Sequence, residues 1–378
     1  MLKKECYVFQ STKITKNKSI QAIFTQNTHS PMFSKSIAIL FIFFLFCQNI
    51  LQAQPANKTV PLPPLQTNDS KWVDSIYNSL TLEQKIGQLY MIAAYSGGEK
   101  YNQSDIEQLI LNYNIGGLIF MQGNATAQGQ QTNKFQLMSK VPLLLAMDAE
   151  WGLGMRLTGI RDMPRQLMMG AMRDSTLVYK MASAVANQCR RLGVHIDFAP
   201  VIDINNNPEN PVINFRSFGE NKFKVANYAI QYMRGLQDNG IMACAKHFPG
   251  HGDTDMDSHK DMPEINKSYA ELENLELYPF QRLIANGIQS IMVAHLHIPA
   301  IDNQKNIPST LSSKTITNLL KGKMQYNGLI FTDALNMQGV AKYYAPGDID
   351  LKAFEAGNDV LLFSQDVNAG MNKIKKMH

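Results

Sequence analysis

The sequence predicts an α/β protein of the parallel (β/α)8-barrel type, on three observations. Eight short apolar runs rich in β-branched residues alternate with longer stretches of helical period. Polar residues close five of those runs in register, and a parallel barrel gathers its strand ends at one mouth. The chain has 378 residues, and what remains after its leader falls within the size range of such barrels as one unit. An open doubly wound sheet is the structural alternative, since it uses the same βα repeat.

Residues 1–53 read as an N-terminal extension and secretory signal peptide. Lys35 precedes the apolar run IAILFIFFLF, from Ile37 to Phe46, and Leu51-Gln52-Ala53 offers a small-residue cleavage point. That run is too short to span a bilayer, which needs about 20 apolar residues. Six lysines and one glutamate leave with this segment, so 36 basic and 31 acidic residues become 30 of each. The apparent positive balance vanishes, and with it any electrostatic pointer to nucleic acid or to an anionic membrane. An exported protein follows, touching the membrane only through its signal. Residues 54–69, with Pro55, Pro61, Pro63 and Pro64, read as a linker, and 70–378 as the single barrel domain.

The strand runs are Leu89 to Ala93, Gly117 to Met121, Pro142 to Met147, Val194 to Ile202, Ile241 to Ala245, Ser290 to Ala294, Leu329 to Thr332 and Asp359 to Phe363. Thr81 with Gln84, and Ser104 with Glu107, fit capping boxes that open helices. Gly193, Gly240 and Gly287 fit residues just past helix ends. Leu177, Met181, Ala184, Val185, Cys189 and Leu192 mark one apolar helix face. Cys189 and Cys244 read as small buried hydrophobes, with no disulfide framework. Asp148, Asp203, Lys246 with His247, His295 and Asp333 close strands three to seven, so they converge on the mouth if the barrel forms.

The stretch KHFPGHGDTDMDSH, residues 246–259, holds one lysine, three histidines and three aspartates. Asp253, Asp255, Asp257 and Glu264 fall at positions 1, 3, 5 and 12 of a calcium loop, yet Ser258 stands where that loop needs glycine. His247, His251 and His259 lack the helical frame of a zinc site. A metal is therefore not expected. An acid/base loop explains more: in extended chain, residues two apart project to one side, so Asp257 can hold a ring nitrogen of His259 and leave the other to exchange a proton. Gly250 and Gly252 would let this loop hinge. A polar loop without chemistry is the bland alternative.

KHFPGHG followed by Asp-Ser-His resembles the signature of glycoside hydrolase family 3, in its β-N-acetylglucosaminidase (β-hexosaminidase) branch. SLTLEQKIGQLYM, AMDAEWG, FAPVIDINNNPENPVINFRSFGE, VAHLHIPAID and FTDALNMQGV agree, over about residues 72 to 365. The resemblance implies Asp333 as nucleophile and His259, paired with Asp257, as acid/base, in a retaining double displacement. It implies Asp148, Arg216, Lys246 and His247 as sugar contacts. The family's double glycine and arginine are replaced by Trp151-Gly152-Leu153-Gly154-Met155-Arg156, where Arg156 is the candidate for the arginine's place. The expected substrate is an oligosaccharide or muropeptide ending in β-linked N-acetylglucosamine, turned over without a cofactor, with phosphorolysis chemically open. Relatives carry more sequence beyond the last strand, so the final helix, opened by Ile374-Lys375-Lys376, is expected to be cut short.

Overall fold

The computed structural model describes residues 71–257 and 261–377; the expected leader, the linker and His259 lie outside them. Nine strands are present among the described residues: β1 (Tyr90–Ser96), β2 (Gly117–Asn124), β3 (Leu144–Met147), β4 (Leu157–Thr158), β5 (Ile196–Asp197), β6 (Met242–Phe248), β7 (Ser290–Val293), β8 (Leu329–Thr332) and β9 (Leu361–Leu362). Eight of them pair in parallel in the order β8-β7-β6-β5-β3-β2-β1-β9. A bridge between Phe331 and Val360 joins the two ends of that path, with Val360 N–H donating to Ile330 O and Thr332 N–H to Val360 O, both at 3.1 Å. The sheet is thus a closed (β/α)8 barrel, and the open-sheet alternative is excluded.

All eight expected strand runs are strands, and β4 is an addition that extends the mouth end of β2. The fourth run is shorter than expected. Pro200 has no N–H to give a ladder, and the Val201 backbone is satisfied by a side chain instead: Gln166 Nε2 donates to Val201 O at 2.7 Å, and Val201 N–H to Gln166 Oε1 at 3.1 Å. Sequence periodicity carries no sign of such a substitute.

Strand alternation sorts the side chains into two layers. One set, including Met91, Ile119, Ala146, Cys244, Phe331 and Leu362, fills the barrel interior, where Phe198 and Phe331 meet edge to face at 5.2 Å. The alternate set, including Leu118, Leu145 and Ile330, packs outward beneath the helices. Both Cys189 and Cys244 are buried free thiols, as their surroundings in the sequence suggest.

The helix ends follow local chemistry with one exception. Thr81 and Gln84 form the expected capping box, and Gly193, Gly240 and Gly287 take the positive φ values, 70°, 78° and 82°, that glycine accommodates without a Cβ clash. Ser104 and Glu107 do not cap. That helix starts at Gln103, because Asn102 ties it to β1 by accepting from Tyr95 N–H (3.1 Å) and donating to Ala93 O (2.9 Å). In the helix Thr176–Arg191 the buried stripe is Val178, Ala182, Val185, Ala186 and Cys189. It is rotated from the expected face, so Leu177 is exposed; the helix has both the barrel and the helix Lys222–Gln237 to pack against, which widens its apolar arc. The final helix, Val367–Lys376, buries Val367, Gly370, Met371 and Ile374.

Phe331 lies fully buried at the heart of the interior layer. Phe331→Ala is expected to cost about 3–5 kcal/mol of stability, read as a lowered midpoint in denaturant unfolding followed by circular dichroism. A loss below about 1 kcal/mol would show that the interior layer is loosely packed.

Candidate active site

The strand alternation that fills the barrel continues two residues further at its mouth. Ala146, Cys244 and Phe331 point inward, so Asp148, Lys246 and Asp333 follow on the same side. All three line one cleft of about 500 Å³, together with Arg156, Arg216 and His247. Six of the eight site residues read from the sequence are therefore brought together. Asp257 lies half-buried farther along the loop and is not among the lining residues, and His259 lies outside the described residues.

Lys246 is the centre of the arrangement. Its ammonium is 2% exposed and sits 2.8 Å from Asp148 and 2.9 Å from Glu150. Burial alone would drive the lysine toward its neutral form, but Asp148 and Glu150 outweigh it and hold its pKa above the usual lysine range. The same pairing acts on the carboxylates. Burial opposes ionisation of Asp148, yet Lys246 and Arg156 keep it well below the usual carboxylate range. Glu150 is held down at about 2, burial again being overcome by Arg216 and Lys246.

Arg216 grips Glu150 with two parallel bonds, Nε to Oε2 at 3.0 Å and Nη2 to Oε1 at 2.7 Å. Its Nη1 donates to Val212 O at 3.2 Å, and Nη2 also reaches His247 Nε2 at 3.3 Å. A guanidinium only donates, so Nε2 of His247 accepts and the ring proton is on Nδ1, aimed at Asp203 Oδ2 2.7 Å away. Asp203 also accepts the N–H groups of His247 (3.2 Å) and His251 (2.7 Å). It thus anchors the whole chain turn after β6 rather than facing ligand. Counted as donors, Lys246 keeps one N–H and Arg216 one N–H beyond these partners, enough to hold ligand hydroxyls or an amide oxygen against fixed charges.

Arg156 reaches Asp148 Oδ2 at 2.5 Å. The chain after β3 folds into a 3₁₀ turn, Leu153–Met155, and then adds β4 to β2, which swings Arg156 back over the mouth. Below the site, Asp197 accepts from Ala149 N–H at 3.0 Å, and burial pushes its carboxyl up to about 7.

Asp333 follows β8, with its N–H on Val293 O at 2.9 Å and its Oδ1 accepting from Ala334 N–H at 2.8 Å. His295 is not a cleft residue. It is buried behind this turn, with Nε2 donating to Ala334 O at 3.0 Å and Nδ1 facing Thr310. Its role is to hold the backbone next to Asp333.

The loop after β6 does not use Gly250 and Gly252 as hinges, and the expected extended pairing of Asp257 with His259 falls outside the described residues. Residues 252–256 form turns and bends. A Cβ on Gly252 would lie 1.7 Å from Ile204 O, and one on Gly250, where φ is +135°, 2.7 Å from Glu276. These glycines allow close packing, not hinging. Asn210 Nδ2 donates to His251 O (2.8 Å) and Gly252 O (3.1 Å), and Lys267 joins Asp253 at 2.7 Å. Beyond the loop Asp261 accepts from Lys342 (2.7 Å) and the Tyr343 hydroxyl (2.6 Å). Among the described residues no three His, Cys, Asp or Glu side chains are grouped to hold a metal ion.

Glu150 and His251 are not among the expected sugar contacts or reactive groups, and Asp203, expected at the mouth as a strand-end residue, is absent from the cleft lining and holds the turn after β6 instead. Glu150 stands two residues past Asp148 and His251 four past His247, but only the turns that fold them back reveal it. Burial lowers the His251 imidazole to about 4, helped by His247 beside it.

A closed barrel whose strand ends and mouth loops bring carboxylates, a lysine, a histidine and arginines into one cleft defines a barrel enzyme acting at its carboxyl-end mouth. The model of the glycosyl hydrolase family 3 N terminal domain matches residues 81–377. Beta-hexosaminidase A of Pseudoalteromonas piscicida is 33% identical over 319 residues, which cover 75% of this chain and 53% of that protein. The β-N-acetylglucosaminidase structure from Paenibacillus sp. str. FPU-7 is 37% identical with a TM-score of 0.74, over 79% of this chain and 58% of that one. A structure of the β-glucoside phosphorylase BglX is 25% identical with a TM-score of 0.78, over 84% and 59%. The chain belongs to glycoside hydrolase family 3. It spans about half the length of the curated relatives it matches first.

Because the Glu150 pKa is depressed in the folded protein, its contribution to stability is present above its ordinary value of 4.5 and is lost as pH falls through about 2. Glu150→Gln is therefore expected to be less stable than the parent by about 3 kcal/mol at pH 7, with the gap narrowing toward pH 2. Denaturant unfolding across this range checks it, and a gap independent of pH would contradict the ion-pair account.

Proposed function

We propose that this chain is the catalytic barrel of an exported, retaining exo-β-N-acetylglucosaminidase. It removes non-reducing terminal β-linked N-acetylglucosamine from peptidoglycan fragments or related glycans. The observation that carries the reading is the placement of Asp333 in the same cleft as the Lys246–Asp148–Glu150–Arg216 network. A nucleophile needs its substrate held still, and that network offers fixed charged donors and acceptors for hydroxyls and an acetamido group. Family membership and the names of the hexosaminidase relatives support it.

In the first step Asp333 attacks the anomeric carbon, the glycosidic bond breaks, and His259, oriented by Asp257, gives its proton to the departing oxygen. In the second, His259 takes a proton from water as the water oxygen attacks the same carbon and Asp333 leaves. Two inversions give net retention. Asp148 and Arg156 serve one side of the ring, Arg216, Lys246 and His247 the other. No step calls for a metal or cofactor.

Phosphorolysis is the second reading, favoured by the likeness to the β-glucoside phosphorylase and by an imidazole acid, which in its neutral state does not repel an incoming phosphate as a carboxylate would. Adding phosphate to the reaction distinguishes them: a sugar 1-phosphate product means phosphorolysis, the free sugar means hydrolysis.

Release of p-nitrophenol from the β-N-acetylglucosaminide tests the activity, and no release by folded protein would favour a silent glycan binder. Asp333→Ala is expected to lower kcat by roughly 10,000-fold or more with an unchanged unfolding curve; joint loss of folding would make Asp333 structural. His259→Ala is expected to lose about 100-fold or more on substrates with poor leaving groups and far less on a dinitrophenyl glycoside. Equal losses would contradict its role as the acid.

A further inference from the structure

Beneath the cleft lies a buried acid that neither step of the reaction uses. Asp197, at the end of β5, is fully buried and enclosed by groups from every neighbouring element. Cys189 faces it from the helix Thr176–Arg191 and Tyr232 from the helix Lys222–Gln237, and burial raises both well above their usual values, so both stay neutral. Asp148 and Glu150 approach from the chain after β3, Lys246 and Cys244 from β6. His195, just before β5, is taken up by Leu145 N–H at 3.0 Å. Lys246 is the one cation in this set among the described residues, and it is paired with Asp148 and Glu150 at 2.8 and 2.9 Å.

Asp197 Oδ1 accepts from Ala149 N–H at 3.0 Å. Its Oδ2 stands 3.4 Å from the Tyr232 hydroxyl, which in turn lies 3.1 Å from Glu150 O and 3.4 Å from Ala149 O. Ala149 O already has the N–H of Gly152, so Glu150 O is the carbonyl that needs the hydroxyl. A tyrosine has one proton to give. If Asp197 is ionised, that proton is drawn to Oδ2 and Glu150 O loses its donor. If Oδ2 carries a proton, Asp197 donates to Tyr232, Tyr232 donates to Glu150 O, and every group in the row is satisfied. An ionised carboxylate sealed from water without a bonded cation is also costly in itself. Burial accordingly outweighs Ala149 N–H and Lys246 and pushes the acid up to about 7.

We infer that Asp197, acting as the neutral acid, and Tyr232 are positioning residues that hold the Asp148-Ala149-Glu150 turn in register for the sugar. This goes beyond the reaction steps above and rests on the reading of that turn as a sugar contact. Asp148 and Glu150 meet Lys246 from either side of Ala149, so a tilt of the peptides between them moves both carboxylates and the ammonium they share. Loss of the Asp197 proton as pH rises through neutrality loosens this footing and weakens substrate binding. Asp333 stands on a different strand end and keeps its reactivity, so the effect falls on KM rather than kcat.

Two readouts separate this from a merely structural role. The first is KM for p-nitrophenyl β-N-acetylglucosaminide in the parent and in Asp197→Asn, whose amide copies the neutral acid: its oxygen accepts from Ala149 N–H and its nitrogen donates to Tyr232. Between about pH 6 and about pH 8.5 the KM of the parent relative to the variant is expected to rise about tenfold, with the kcat ratio nearly constant. Titrations elsewhere, that of His259 included, act on both proteins and cancel in the ratio. Tyr232→Phe is expected to raise KM at every pH and to flatten its rise. The second readout is denaturant unfolding, which needs no turnover. Because the folded acid keeps its proton after the unfolded chain has lost it, the parent loses stability relative to Asp197→Asn as pH rises from about 4 to about 7, and the gap is constant above that. A KM ratio flat with pH, a kcat ratio that moves in its place, or an unfolding gap flat with pH overturns the inference. If neither protein releases p-nitrophenol, the glycosidase reading falls, and calorimetric titration of N-acetylglucosamine over the same range takes the place of KM. An affinity ratio that shifts with pH then supports the positioning role, and a flat ratio or no binding overturns it.

Discussion

The mouth of this barrel is organised around one buried ammonium. Removing an ion of that size from water costs several kcal/mol even after relaxation, so Lys246 can be enclosed only if negative charge comes to it. Two carboxylates do, from either side of Ala149. To bring both to one point the chain after β3 must turn sharply, and its backbone is fixed from below by Asp197 and from within by the bond of Gly152 N–H to Ala149 O at 2.8 Å. Glu150 then needs a second cation, which places Arg216, and Arg216 in turn selects the ring tautomer of His247. Each requirement follows from the one before.

That chain of requirements shows what a sequence can and cannot reveal. Strand parity is legible, because an apolar interior residue two positions before a charged one marks the point where core becomes cleft. Asp148, Lys246 and Asp333 are legible in that way, and their convergence follows from the eight-run pattern. Contacts made through turns are not legible. Glu150, the Asp203–His247 pair and the Gln166 brace on Val201 depend on loop geometry, which no periodicity encodes. Ser104 and Glu107 satisfy a capping pattern, but Asn102 has a tertiary task that moves the helix start. Gly250 and Gly252 illustrate the same limit: glycine in a loop signals either freedom or crowding, and only the neighbours decide.

Charge is nearly balanced within the cleft. Four cations, Lys100, Lys246, Arg156 and Arg216, line it with three carboxylates, Asp148, Glu150 and Asp333, and Lys246, Arg156 and Arg216 are each paired to Asp148 or Glu150 at 3.0 Å or less. A neutral sugar meeting such a surface finds oriented dipoles and little net charge. Farther out, Arg165 stands over the rings of Trp151 and Phe215 with no counter-charge among the described residues. The barrel therefore has two kinds of surface, a largely compensated interior and an uncompensated edge.

The segment that carries Asp257 is moored at both ends, by Asn210 and Lys267 where it begins and by Lys342 and Tyr343 where it ends. The second mooring belongs to the stretch of chain that follows Asp333. The two loops that carry Asp257 and Asp333 are thus braced to each other outside the cavity. Asp261 N–H also donates to Asp257 O at 3.2 Å, so a shift in either loop is passed to the other through fixed bonds rather than through the cleft.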